Sequence, residues 1–204
     1  MNSVFGTYSC SCNNSFGQIG STFRLWDTCP FFSKPKLRIV YEPDAEPKTY
    51  CPIKDFEYRY DIRLAKRKYL RVAVENTGRG YAEKCMAKLR VLENNSDDNE
   101  NPETEPKILQ WSTEKNIKED ISARTGFSVL NIVFSEQESK SAFVGTQMSL
   151  NGKEFPRKED TFSTGNFVFE LVITTLHGYS TSAKFRLNVT PEWHELSMQM
   201  IKED

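Results

Sequence analysis

Asn166–Thr175 (NFVFELVITT) and Thr181–Thr190 (TSAKFRLNVT), five residues apart, decide the fold. In the first, Phe167, Phe169, Leu171 and Ile173 fall on alternate positions. In the second, Ala183, Phe185, Leu187 and Val189 do the same, with Lys184, Arg186 and Asn188 between them. Successive side chains of a strand point to opposite faces, so each stretch has one dry face and one wet face. His177-Gly178-Tyr179 reverses the chain between them and Pro191 ends the second. The pair reads as an antiparallel hairpin laid over a core.

The same period runs upstream. Leu37, Ile39 and Tyr41 alternate with Arg38, Val40 and Glu42 until Pro43 and Pro47. Phe56, Tyr58, Tyr60, Ile62 and Leu64 alternate with Glu57, Arg59, Asp61 and Arg63, which predicts one edge or hairpin strand with a charged face. Tyr69–Glu75 turns Leu70, Val72 and Val74 inward. Asn76-Thr77-Gly78-Arg79-Gly80 then predicts a tight reversal, since Asn and Gly tolerate positive φ. The return strand, Ala82–Leu92, carries Cys85, Ala87, Leu89 and Val91 on one face.

Glu93–Lys107 holds six carboxylates, two prolines and one lysine. Such a segment buries too little apolar surface to offset its ordering entropy and reads as a solvated loop. Strands resume at Ile108–Trp111 and Ile117–Ser122. After the turn Arg124-Thr125-Gly126, Phe127–Phe134 is apolar at nearly every position, the pattern of a central strand covered on both faces. Phe143–Leu150 alternates weakly into the hairpin signal Asn151-Gly152, and Lys153–Thr164 is a charged loop. The sum is an all-β chain of seven to nine strands. Its long connections suit a Greek-key β-sandwich better than an up-and-down barrel.

The two ends differ from this middle. Residues 1–34 are rich in Ser, Gly, Asn and Thr, with scattered aromatics of no period, and read as an irregular arm. Residues 35–192 form the sandwich domain. Residues 193–204 are a tail, where the near-helical spacing of Trp193, Leu196 and Met200 predicts a short amphipathic helix.

Tyr69-Leu70-Arg71-Val72-Ala73-Val74-Glu75-Asn76-Thr77-Gly78, followed by Ala82 and an alternating strand, resembles the immunoglobulin-like accessory domains of bacterial and archaeal proteins. The cell-adhesion-related bacterial domain is the type it is most similar to. There a valine-rich strand enters an Asn-x-Gly turn and pairs with the next strand. Trp111, the turn glycine Gly126 and the apolar Val129–Phe134 strand also resemble uncharacterised archaeal and bacterial domains of this kind. The resemblance implies an immunoglobulin-like fold and an accessory or surface-interaction role. It carries over no ligand residues, and the N-terminal arm has no counterpart in it.

Composition narrows the classes. With 38% apolar and 27% charged residues, the chain suits a soluble globule. A net charge of −1 lacks the basic excess of a nucleic-acid binder. No stretch approaches the roughly 20 apolar residues of a spanning helix, so direct membrane insertion is not expected. The first thirty residues lack the basic start and continuous apolar middle of a secretory signal. The compartment stays open: five cysteines leave at least one thiol unpaired within the chain, whereas Asn13-Asn14-Ser15, Asn94-Asn95-Ser96 and Asn188-Val189-Thr190 match the glycosylation tripeptide.

Candidate chemistry is sparse. Cys10 and Cys12 with Cys29 and Cys51 could supply four zinc thiolates, but they lack the paired knuckles such sites use. Cys85 alternates with core residues and reads as a small buried hydrophobe. His177 sits in a hairpin turn and His194 beside Glu192 and Glu195, both read as solvated. Asp97-Asp98-Asn99-Glu100 lacks the spaced ligands of a calcium loop. Tyr58 and Tyr60 could stack on sugar rings, yet their alternation places them on a core face. No nucleophile elbow, phosphate loop or zincin helix occurs. The expectation is therefore no catalytic, cofactor or metal residue, and a non-catalytic accessory module meeting a protein partner through sheet edges and end loops. A carbohydrate-binding module and a small hydrolase with an unrecognised carboxylate site are the alternatives.

Overall fold

The computed structural model describes residues 34–44, 50–57, 64–96, 105–112, 117–124, 126–137, 139–146 and 160–202. Apart from Lys34, the expected N-terminal arm lies outside them, as do the Asn151-Gly152 turn and the acidic core of the 93–107 segment.

These residues form twelve strands: β1 (Leu37–Val40), β2 (Ile53–Glu57), β3 (Leu64–Asn76), β4 (Ala82–Ser96), β5 (Lys107–Ile108), β6 (Glu119–Ile121), β7 (Phe127–Glu136), β8 (Ala142–Val144), β9 (Thr161–Phe162), β10 (Gly165–Thr174), β11 (Ser180–Val189) and β12 (Ser197–Ile201). They make two antiparallel six-stranded sheets. The first runs β1-β3-β7-β8-β9 with β2 also on β3; the second runs β12-β11-β10-β4-β5 with β6 also on β4. Twelve strands exceed the expected seven to nine: β9 and β12 lie in stretches read as loop and tail, and two edges come in pieces. β1 and β2 both pair along β3, and β5 and β6 both pair along β4. Pro43, between β1 and β2, has no N–H to offer a ladder.

One core fills the space between the sheets. Leu70 and Ile132 of the first sheet share it with Phe169 and Phe185 of the second. Phe169 and Phe185 are direct cross-strand partners and stack at 5.4 Å. β7 is the central strand expected, buried at every position from Leu130 to Glu136, although Phe127 at its start is exposed.

Several expectations need correcting. The turn after Asn76 is not a hairpin: β3 and β4 belong to different sheets, and the turn carries the chain across the core. Nor does Gly78 serve through positive φ. A Cβ there would stand 2.4 Å from the Lys36 nitrogen, so glycine is required by close backbone approach. Asn76 is the pivot of the corner. Its Oδ1 accepts from the Lys36 and Gly78 amides, and its Nδ2 donates to the Gly80 and Ile121 carbonyls. Both donors and both acceptor positions of the buried amide are thereby used.

Leu64 opens β3 instead of closing the preceding strand, and it pairs with Glu57. β4 extends to Ser96, into the stretch read as loop, because β10 offers ladder partners as far as Gly165. The expected C-terminal helix is absent. A single 3-10 turn, Trp193–Glu195, leads into strand β12. Leu196, Met198 and Met200 also alternate, and an isolated helix this short is unstable, whereas β11 presents a ladder to pair with. Among the described residues no helix is long and apolar enough to cross a membrane.

The two sheets are also laced along one side. Leu109 still donates to Ala87 of β4, but the Gln110 amide donates to Gly145 and the Ser112 amide to Val129 of the first sheet. Trp111 bridges to Leu130 of β7 and is fully buried.

Candidate functional site

Among the described residues, each sheet edge is a strand with no ladder neighbour on its outer side. β1 carries Arg38; β2 carries Lys54, Asp55 and Glu57; β5 carries Lys107; β6 carries Glu119 and Asp120. Charged side chains and short, broken edges deter pairing with another chain. β9 is uncharged but only two residues long. β12, Ser-Met-Gln-Met-Ile, is the one described edge strand longer than two residues with neither charge nor proline.

Local chemistry fixes β12 in place. Pro191 follows β11, and the Thr190 hydroxyl donates to the Glu192 carbonyl at 2.9 Å. The 3-10 turn then crosses the end of the sandwich. Its carbonyls are held from the first sheet: Ser135 Oγ donates to Trp193 O and Lys68 Nζ to His194 O, both at 2.6 Å. Partial burial lowers the Lys68 pKa, with the Cys51 thiol and Glu195 opposing that shift. Leu196 and Met198 then enter the core, leaving Ser197 and Gln199 exposed on the other face.

That face is polar. Asn95, Asn166, Asn188 and Ser197 stand in register across β4, β10, β11 and β12, all exposed. The next row is Glu93, Val168, Arg186 and Gln199. Beyond it lie Arg90, Glu170, Lys184 and Ile201, where Arg90 and Glu170 pair at 2.8 Å.

The outward face of the first sheet is different. Tyr69, Phe134 and Phe143 stand in register across β3, β7 and β8, with ring centroids 5.8 and 5.4 Å apart. Arg67 lies over Phe134 and Arg71 over Tyr69, each 4.8 Å from the ring centre. Arg67 pairs with Glu136, and Arg71 donates to Asn131 Oδ1 at 2.8 Å. Phe134 and Arg67 are buried, so this array works as a second small core.

Among the described residues, those singled out in the sequence do not converge. Cys10, Cys12, Cys29, Tyr58, Tyr60 and Asp97–Glu100 lie outside the described residues. Cys51 is half-buried, its sulfur 3.6 Å from the Tyr41 hydroxyl. Cys85 is buried, as its alternation predicted. His177 is exposed, 3.7 Å from Glu83, and His194 is exposed on the 3-10 turn. Among the described residues no three of His, Cys, Asp and Glu gather as metal ligands would. The β12 edge was missed because the helical spacing of Trp193, Leu196 and Met200 masked the alternation of Leu196, Met198 and Met200. No protein-family model, curated protein or solved structure matches the chain.

Proposed function

We propose that this chain is a non-catalytic protein-interaction module of immunoglobulin-like, Greek-key type, and that it engages its partner by strand addition at β12. One observation carries the reading: β12 lacks the charges, proline and breaks that blunt the other described edges, while its own core face is anchored. Strand addition takes its affinity from main-chain hydrogen bonds and its specificity from alternate side chains. Here those are Ser197, Gln199 and Ile201 on the polar face and Met198 and Met200 on the core side. The carbohydrate alternative draws less support, since the in-register aromatic row Tyr69–Phe134–Phe143 is largely buried.

A photo-crosslinking amino acid at position 199 of the full chain, expressed in its native cells, tests this. Polypeptide adducts are expected at 199 and absent from a control probe at Asn166 on the sheet face. Equal labelling from both positions, or none from 199, would sink the reading.

A further inference from the structure

We propose that the occupant of the β12 edge is a second copy of this chain, joined by antiparallel β12–β12 pairing about a two-fold axis at Gln199. This rests on the strand-addition reading above and names its partner.

A two-fold interface sets each residue against its counterpart, so a charge at the axis meets its own sign. With the axis at Gln199, Ser197 faces the second copy's Ile201 and Met198 faces its Met200. Gln199 faces its own copy, amide to amide, and Lys202 faces an apolar Leu196. No like charges stand opposite one another from Leu196 to Lys202, whereas an axis at the middle residue of β2 or β6 would set Asp55 or Asp120 against its own copy. The side chains also sort by face. Met198 and Met200, on the core side of β12, would prolong the apolar layer, and Gln199 and Ser197 the polar rows. A symmetric pair would join two six-stranded sheets into one continuous sheet and remove the uncharged edge from both.

Sedimentation equilibrium on the full chain between about 5 and 200 µM, a range that brackets a micromolar dissociation constant, tests the pairing. Gln199 is exposed, so Gln199→Lys and Gln199→Glu should fold as the wild type does, checked by circular dichroism. The expected result is wild type at twice the chain mass, each variant alone at the chain mass, and an equimolar mixture of the two restored to twice that mass. A wild type that stays monomeric at about 200 µM, a Gln199→Lys chain that still dimerises, or a mixture that stays monomeric overturns the proposal. Crosslinks from position 199 to a different polypeptide, with a monomeric wild type, would end the self-pairing and leave the interaction reading standing.

Discussion

The Trp111 indole N–H donates to the Cys85 carbonyl at 3.1 Å, a hydrogen bond that ties the segment bridged to β7 in the first sheet to β4 in the second. Around it the backbone is contorted to fit. Lys84 adopts φ 48°, its amide donates to Asp120 Oδ1 at 2.6 Å, and the β4–β6 register shifts between Ala82 and Cys85. A bulge there re-aims the strand, and the Cys85 carbonyl is the one the indole meets.

Trp111→Phe removes that bond to the Cys85 carbonyl and opens a small void. The expected loss is about 2–3 kcal/mol. Urea unfolding followed by tryptophan-independent far-UV circular dichroism checks it. A loss within error of zero would mean that the lacing is incidental.

Asn76→Ala abandons four hydrogen bonds at the corner between β3 and β4, of which the two to Gly80 and Ile121 are buried. At least about 3 kcal/mol should be lost. Gly78→Ala should cost about 2 kcal/mol or more by forcing the 34–36 backbone away. Gly178→Ala makes the contrast. Its φ is +79° with nothing within 4 Å, so only the backbone penalty of about 1 kcal/mol applies. Equal effects of the two alanines in thermal unfolding would contradict the close-approach argument.

Arg67 and Glu136 form a buried ion pair beside Phe134. Removing one partner strands a charge. Arg67→Met or Glu136→Met alone should each cost about 3–5 kcal/mol, while the double substitution should recover most of that loss. A double-mutant cycle in urea measures the coupling; strictly additive losses would show that the two groups are held by other neighbours.

Alkaline pH should weaken the fold through Cys85. Burial, assisted by the Asp120 carboxylate, pushes its thiol up to about 12 from 9.0. Above 9 the unfolded chain releases this proton while the folded chain keeps it, so this contribution is complete below pH 9 and declines as pH rises toward 12. The slope for one such group is at most about 1.4 kcal/mol per pH unit. Tyr41 is raised too, by burial and by its hydrogen bond to Cys51, and adds the same sign at higher pH. Urea midpoints from about pH 8 to 11 should fall less steeply for Cys85→Ala than for wild type. Parallel slopes would refute the assignment.

Legibility tracked the locality of the signal. The β10–β11 hairpin could be read directly because Phe169, Phe185 and their neighbours alternate, and the turn sits between strands that pair with each other. The β3–β4 corner was misread as a hairpin because an Asn-x-Gly turn looks the same whether its strands share a sheet or cross between two. The β12 edge, the candidate site, was hidden because Trp193, Leu196 and Met200 satisfy a helical period over a segment too short for either period to dominate.

The sequence by itself determined that this is a β protein, which side chains of β3, β4, β10 and β11 face its interior and that β7 is central, because period and apolar content are local properties of the chain. Only the tertiary structure decided that Asn76 turns between sheets, that residues 109–112 leave one sheet for the other and that Ser197–Ile201 is a strand. Each depends on backbone donors and acceptors offered by residues distant in the chain, such as Gly145 to Gln110 and β11 to β12. Hydrogen bonding between distant segments leaves no period to read.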